Sequence, residues 1–199
     1  MATDVRALME NIESCYDFQG KAVVHVGVRE GRLTGYAASA RSVLAVDSDP
    51  EAVRRLGSLI REQGLLGRFI IFRGAFQSVG IRADVVFFDF CLHSMADPEA
   101  ALRHARTLAP ETLVVESTPE SRWAWTLGEE AEVARCWEAA GRGEIARDDT
   151  FMGAEQFHDY AELLAALKGR GEPTLGRIAA LKGREGIAIQ MPYRVALLR

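Results

Sequence analysis

The stretch Val-Val-His-Val-Gly-Val-Arg-Glu-Gly, residues 23–31, decides the fold of this chain. An apolar strand runs directly into a turn punctuated by glycines, and the residues that follow predict a helix. Such a turn lets backbone N–H groups at a helix N-terminus approach a ligand, because glycine has no Cβ to block the approach. The stretch therefore predicts a site for a nucleotide-type cofactor. It is irregular, since Arg29 stands where a close-approach glycine is expected.

Length and composition narrow the class of protein. With 199 residues and 48% hydrophobic content, the chain suffices for one well-buried core. Its formal net charge of -4 gives no global attraction to nucleic acid or to anionic membranes, so neither partner is expected. The three cysteines (Cys15, Cys91 and Cys136) lie far apart and form no Cys-x-x-Cys pair, which argues against disulfides and structural zinc. We expect reduced, buried thiols and no metal site.

The N-terminus has no signal-peptide pattern, and no apolar run approaches the roughly 20 residues that span a bilayer. These features predict a cytoplasmic protein.

Apolar and amphipathic runs alternate along the chain, which is typical of an α/β fold with a mostly parallel sheet. The predicted strands are Ala22–Val26, Ser42–Val46, Phe69–Phe72, Asp84–Phe88, Thr112–Val115, a short strand around Gly143–Ala146, and Tyr193–Leu198. The predicted helices begin behind Asp4, around Arg32–Ala40, at Asp49-Pro50-Glu51, at Asp97-Pro98-Glu99, near Glu129–Ala140, and over Ala154–Leu167.

Three ordered motifs resemble those of the class I S-adenosylmethionine-dependent methyltransferases. They are the glycine turn at 23–31, the second-strand stretch Leu44–Ala52, and the fourth-strand stretch Ala83–Pro98 with its Leu92-His93 pair. The resemblance implies a three-layer, Rossmann-like α/β fold with a seven-stranded, mostly parallel sheet in the order 3-2-1-4-5-7-6 and an antiparallel last strand. The first motif of this family is degenerate in this chain, because His25 and Arg29 depart from the usual pattern.

The resemblance also implies one methyltransferase-like domain over residues 1–199. Within it, residues 1–20 form an N-terminal helix and entry loop, 21–116 a cofactor-binding half, and 117–199 an acceptor-side half. S-adenosylmethionine is then the expected cofactor, with S-adenosylhomocysteine as product. It would lie across the carboxyl ends of the first, second and fourth strands.

Four residues near the first two strands are implied to bind the cofactor. Gly27 and Gly31 would admit it to the backbone, although a tight turn alone also explains Gly27. Asp47 would accept hydrogen bonds from both ribose hydroxyls; the alternative is a solvated turn aspartate beside the Asp49 cap. Ser48 would contribute contacts near the adenine, or its hydroxyl would face water.

The third and fourth strands contribute the remaining cofactor contacts. Gly74 stands where the family usually has an aspartate for the adenine, so adenine would depend on Ala75 and Phe76, with a core role for Phe76 as the alternative. Asp89 and Phe90 would lie beside the methionine end, where a carboxylate can bind the ammonium group. A buried or capping Asp89 is the alternative.

Two histidines and one arginine complete the candidate site. His93 is the acid/base candidate for removing a proton from the acceptor, against a helix-entry role. His25 replaces the usual acidic residue of the first motif and is either a ligand or a packed core residue. Arg29 would pair with the cofactor carboxylate, or its bulk would narrow the pocket.

The acceptor is the least defined part of the prediction. The aromatic residues Trp123, Trp125 and Trp137 either stack on a planar acceptor or pack in the core. We expect a methyltransferase acting on a small-molecule acceptor, with a homodimer as one option for assembly. The alternatives are a catalytically inactive methyltransferase-like binding or regulatory protein and, less favoured, a nicotinamide oxidoreductase, whose Gly-x-Gly-x-x-Gly signal is missing.

Overall fold

The strands of the computed structural model form one large and one small sheet. The model describes residues 4–28, 31 and 33–199. The strands are β1 (Ala22–Val26), β2 (Ser42–Asp47), β3 (Phe69–Arg73), β4 (Val85–Asp89), β5 (Glu111–Ser117), β6 (Ile145–Phe151), β7 (Ala154–Asp159), β8 (Glu185–Gln190) and β9 (Tyr193–Leu198). Seven of them form a sheet in the order β3-β2-β1-β4-β5-β9-β6, and β7 pairs with β8 separately.

The strand order confirms the predicted topology. Counting only the strands of the large sheet, the order is 3-2-1-4-5-7-6. The last strand, β9, runs antiparallel to both β5 and β6, while β1 to β5 are all parallel to one another. The order reverses between β1 and β4, which is where open α/β sheets bind ligands.

Helices cover both faces of this sheet and complete three layers. They are α1 (Val5–Cys15), α2 (Pro50–Glu62), α3 (Pro98–Leu108), α4 (Arg122–Leu127), α5 (Glu130–Gly141), α6 (Tyr160–Ala166) and α7 (Glu172–Ile178). One buried cluster packs α1 and α2 against one face through Ile12 and Leu56, and the other packs α3 and α5 against the opposite face through Leu102 and Trp137. Among the described residues, no helix is both long and apolar enough to span a membrane.

Two helix starts follow directly from the local sequence. Asp49 and Asp97 accept backbone N–H hydrogen bonds at the N-termini of α2 and α3, and Pro50 and Pro98 occupy the first helical positions. Both residue types are favoured there for these reasons.

The C-terminal third departs from the sequence prediction. A single helix over Ala154–Leu167 is wrong, because its first half is strand β7 and only its second half is helix α6. The partner strand β8 was not predicted, and β6 extends five residues beyond the predicted Ala146. Around Arg32–Ala40 the helix is also wrong within the described residues, which hold only a short 3₁₀ turn at Gly35–Ala38.

Candidate functional site

Backbone hydrogen bonds draw the carboxyl ends of the central strands together. The N–H of Gly27, after β1, donates to the carbonyl of Val46 in β2 at 3.0 Å. The N–H of Gly74, after β3, donates to the carbonyl of Asp47 at 3.0 Å. The turns that carry the predicted cofactor residues therefore converge at one edge of the sheet.

The glycine turn packs against Cys91, in the segment that follows β4. Gly27 has φ +77°, and a Cβ added to it would lie 2.4 Å from the Cβ of Cys91 and 2.5 Å from its Sγ. That thiol donates to the carbonyl of Val26 at 3.2 Å. At Gly31, which has φ +80°, the nearest atom to an added Cβ is a terminal methyl carbon of Leu59 in α2, at 2.7 Å. The positive φ favours glycine at both positions, and at Gly27 the packing of Cys91 excludes a side chain as well.

Two aspartates at the end of β2 have different local roles. Asp49 caps α2 by accepting from the N–H of Glu51 at 2.8 Å. Asp47 accepts from the N–H of Asp49 at 2.9 Å through Oδ1 and is half-buried, while Ser48 between them is exposed. The capping function thus belongs to Asp49, and Asp47 places a carboxylate at the sheet edge.

The turn after β3 presents its two predicted adenine contacts differently. Ala75 is exposed. Phe76 is 3% exposed and packs edge-on against Phe88 at 5.2 Å and His104 at 5.0 Å. Ala75 therefore faces outward at the edge of the site, whereas the ring of Phe76 belongs to the core.

Asp89, at the end of β4, is fully buried beside His25 of β1. Both side chains are 0% exposed, and the Nε2 atom of His25 lies 3.4 Å from Oδ2 of Asp89. Among the described residues, neither this Nε2 nor either carboxylate oxygen of Asp89 has a hydrogen-bond partner. Buried polar groups without partners are costly and are uncommon in native proteins. Among the described residues at this edge of the sheet, His25 and Asp89 therefore have polar atoms left over to bind a polar ligand.

The other side of the His25 ring is firmly held. Its Nδ1 atom lies 2.9 Å from the hydroxyl of Tyr36, and its ring stacks on Phe87 at 4.6 Å and 21°. Burial, and secondarily the charge of Asp89, hold the pKa of Tyr36 well above its usual range, so this hydroxyl keeps its proton. The sequence allows His25 to be either a ligand or a core residue; its packing combines a core position with an Nε2 atom that has no hydrogen-bond partner among the described residues.

The backbone is strained immediately after Asp89. Phe90 has φ +44°, a left-handed conformation that costs a non-glycine residue about 1–3 kcal/mol. Its N–H donates to the carbonyl of Val115 at 2.9 Å, and its ring lies 5.9 Å from that of Tyr193. Strain of this kind concentrates at ligand sites, where the surrounding structure enforces it.

His93 lies in a partly buried network of carboxylates at the same edge. Its Nδ1 is 2.6 Å from Oε2 of Glu116, and its Nε2 is 3.5 Å from Oε2 of Glu129. Burial alone would lower the pKa of His93, but its hydrogen bonds to the two glutamates and their charges outweigh burial and raise this pKa to about 9. Sequence reasoning missed both glutamates, because they are distant in the chain and belong to no motif.

The three tryptophans are largely engaged in packing. Trp123 is 7% exposed and lies 5.7 Å from the ring of Phe157. The indole N–H of Trp137 donates to the carbonyl of Ser117 at 2.7 Å. Trp125 is half-buried, with the guanidinium of Arg122 3.8 Å from its ring centre.

A cavity of about 400 Å³ opens between the start of α1 and the β7–β8 sheet. Its lining includes neutral polar side chains (Asn11, Gln156, Gln190 and Tyr193) together with small and apolar residues. Tyr193 accepts from Nδ2 of Asn11 at 2.8 Å, so the phenol proton is available to a ligand. Because Tyr193 also lies beside Phe90, the cavity is adjacent to the end of β4.

The cysteines and Arg29 complete the comparison with the sequence prediction. Cys15 and Cys136 are buried free thiols, and Cys91 is half-buried. Arg29, predicted to contact the cofactor, lies outside the described residues.

Comparison with known proteins identifies the fold and finds a family match over part of the chain. Residues 24–115 match the profile of the methyltransferase domain family. A SAM-dependent methyltransferase from Aquifex aeolicus aligns with 99% of this chain and 90% of its own at a TM-score of 0.58 and 15% identity. The YcgJ protein from Bacillus subtilis aligns over 96% of both chains, at a TM-score of 0.67 and 14% identity. The [4+2]-cyclase SpnF aligns with 97% of this chain and 80% of its own, at a TM-score of 0.65 and 19% identity.

Curated protein sequences give no significant match to this chain. At identities below 20%, the structural neighbours establish the fold, and the [4+2]-cyclase SpnF shows that this fold also carries other chemistry. The profile match covers the first, second and fourth strands, which carry the three motifs. The profile match over residues 24–115 and the confirmed strand order together show a Rossmann-like methyltransferase fold, with the sequence likeness confined to that stretch.

Proposed function

We propose that this protein transfers a methyl group from S-adenosylmethionine to a small, uncharged acceptor. The observation that carries the proposal is the buried Asp89 carboxylate, which has no hydrogen-bond partner among the described residues and ends β4 beside the Gly27 turn. A carboxylate in this position suits a cofactor whose methionine part carries an ammonium group.

The remaining residues fit the other parts of the cofactor. Asp47 offers a carboxylate to the ribose hydroxyls at the end of β2, since Asp49 already caps α2. Ser48 and Ala75 are exposed at the neighbouring turns and are assigned to the adenine side. Gly27 and Gly31 shape the turn, and Phe90 closes the methionine end. We retain Arg29 and Phe76 as weaker candidates.

The cofactor, when bound, supplies an electrophilic methyl group on a sulfonium sulfur. The work of the protein is then to align the acceptor with that methyl group and to exclude water. His93 with a pKa of about 9 is protonated at neutral pH, so it cannot accept a proton from the acceptor in this arrangement. A role of His93 in proton transfer therefore requires that its contact with Glu116 be broken first.

The acceptor is assigned to the cavity between α1 and the β7–β8 sheet. Its volume of about 400 Å³ suits a small molecule, and its amides and phenol suit hydrogen bonding to neutral polar groups. Asp4 is the charged residue among those that line it, and no lysine or arginine appears in that described lining. A carboxylate or phosphate would lose its hydration there without gaining a cation, which disfavours anionic acceptors.

Thermal unfolding with added ligands tests the cofactor assignment. S-adenosylmethionine or S-adenosylhomocysteine at about 100 times Kd should add roughly 2.7 kcal/mol to the stability, a rise in Tm of roughly 5–10 °C. NAD serves as the control and should give no shift. If neither adenosyl ligand raises Tm at millimolar concentration, the proposal is wrong; a shift with NAD alone would favour an oxidoreductase instead.

A further inference from the structure

The ring of His25 is placed so that one nitrogen is fixed by Tyr36 and the other points at Asp89. Nδ1 lies 2.9 Å from the Tyr36 hydroxyl, and Nε2 lies 3.4 Å from Oδ2 of Asp89. All three side chains are at most 1% exposed. These groups thus form a buried line that ends on a carboxylate for which the described residues provide no hydrogen-bond partner.

The chemistry of the three groups fixes where the protons lie. A lone pair on Nε2 would face the Asp89 carboxylate and be repelled by it, so Nε2 carries the proton. The hydroxyl of Tyr36 retains its proton and is placed to donate a hydrogen bond to Nδ1. A doubly protonated ring would instead cancel the charge of Asp89 and repel an incoming cation.

We propose that Tyr36 and His25 are positioning residues that hold the Asp89 carboxylate as an acceptor site for the primary ammonium group of the cofactor. This inference rests on the proposed function, because the ligand is the amino-acid part of S-adenosylmethionine. An ammonium group has three donors and can satisfy both oxygens of Asp89, while the neutral Nε2–H supports the carboxylate from the other side.

The arrangement differs from the acidic residue that the family carries at the His25 position. Here the first strand contributes a neutral imidazole, and the negative charge comes from the end of β4. Stacking of His25 on Phe87 at 4.6 Å keeps the ring in the plane that points Nε2 at Asp89. The substitution in the first motif is therefore matched by a carboxylate on the neighbouring strand β4, two positions beyond Phe87, the register partner of His25.

Comparing two ligands separates positioning from general stability. S-adenosylhomocysteine carries the ammonium group, whereas 5′-methylthioadenosine keeps the adenosine and lacks the amino-acid part. We define the discrimination as the ratio of their dissociation constants, measured by calorimetry. Tyr36→Phe should reduce this ratio about fivefold and His25→Phe about tenfold or more, while the affinity for 5′-methylthioadenosine stays within about twofold.

A double-mutant cycle tests whether Tyr36 acts through His25. In the His25→Phe background, Tyr36→Phe should cause no further loss of discrimination. The control is Phe18→Leu, since Phe18 stacks on the ring of Tyr36 at 4.3 Å and its side chain can form no hydrogen bond with the three polar groups. That variant should lower Tm and leave the ratio unchanged.

A second readout needs no cofactor. Nitrogen chemical shifts of His25 should report a neutral ring with the proton on Nε2 in the free protein. This measurement uses the wild-type protein, so the inference can still be tested if a variant fails to fold. The inference is overturned by a proton on Nδ1, by additive effects of the two substitutions, or by an unchanged ratio in both single variants. If wild type binds S-adenosylhomocysteine normally in those cases, the proposed function survives; absence of binding overturns both.

Discussion

Cys91 occupies the space that a side chain on Gly27 would need. The Cβ of Cys91 lies 2.4 Å from the position of an added Cβ, closer than real Cβ atoms approach other heavy atoms. The residue that approaches Gly27 closely is therefore Cys91 of the same chain. A glycine at this position indicates the fold more directly than it indicates a cofactor.

Gly27→Ala should destabilise the protein by at least about 2 kcal/mol. The positive φ of +77° costs an L-residue about 1–2 kcal/mol, and the overlap with Cys91 adds to this cost. Urea unfolding measures the change. In a double-mutant cycle with Cys91→Gly, the overlap disappears and the strain in φ persists, so the cost of Gly27→Ala should fall by about 1 kcal/mol. Equal costs in the two backgrounds would show that Cys91 does not restrict this position.

The stability of the protein should fall between about pH 6.5 and pH 9 because of His93. Its pKa is raised from 6.5 to about 9 in the folded state, so the folded protein binds more protons than the unfolded chain in this window. The contribution is fully present below pH 6.5 and is lost as the pH rises through 9. Its size is up to about 3 kcal/mol at 1.36 kcal/mol per unit of pKa.

Urea unfolding of wild type and of His93→Gln at pH 6, 7, 8 and 9 tests this prediction. Other titrating groups are common to both proteins, so the difference isolates His93. The free energy of unfolding of wild type should decline more steeply with pH than that of the variant. Parallel pH dependences would mean that Glu116 and Glu129 do not hold the protonated ring.

The two aspartates after β2 should respond in opposite ways to substitution. Asp47→Ala should weaken S-adenosylhomocysteine binding at least about tenfold, since a carboxylate that accepts from two ribose hydroxyls is lost. Asp49→Ala is the matched control: it removes the N-cap of α2 and should cost about 1 kcal/mol of stability with affinity kept within about twofold. Calorimetry and urea unfolding measure the two effects, and an unaffected Asp47→Ala variant would place the ribose elsewhere.

The cavity beside α1 should prefer neutral ligands to anions of the same shape. Benzamide should shift the side-chain amide resonances of Asn11, Gln156 and Gln190 in NMR spectra, and benzoate should bind about tenfold more weakly. Tyr193→Phe should weaken benzamide binding, because the phenol donor is lost. Equal or tighter binding of benzoate would contradict an uncharged acceptor.

The sequence predicts the N-terminal half of the fold well for physical reasons. The central strands β1 and β4 are covered on both faces and are mostly apolar in sequence, and α2 and α3 are introduced by Asp-Pro-Glu. Local signals of this kind need no knowledge of distant partners.

The C-terminal third is less predictable because its strands depend on distant pairing. Residues Ala154–Asp159 form a strand through pairing with Glu185–Gln190, and the apolar spacing that continues into α6 conceals the boundary. Alternation in Glu185–Gln190, where Ile187 and Ile189 are buried, was a usable signal. Only the start of β6 was predicted, because its charged remainder lacks an apolar run.

The candidate site likewise combines residues that local sequence signals predict with contacts that they do not. Asp47, Asp89 and the glycine turn were found from motifs, because each follows a recognisable strand. The contacts that give His93 and His25 their properties, to Glu116, Glu129 and Tyr36, join distant parts of the chain and left no local pattern.

Calorimetric titration of Asp89→Asn with S-adenosylhomocysteine and 5′-methylthioadenosine tests the central claim most directly. Wild type should bind S-adenosylhomocysteine at one site per chain. Asp89→Asn should bind it at least about tenfold more weakly, since a hydrogen-bonded ammonium–carboxylate contact contributes about 1.5–3 kcal/mol. Its affinity for 5′-methylthioadenosine should be unchanged. No binding of S-adenosylhomocysteine by folded wild type, or equal binding by Asp89→Asn, would contradict the account.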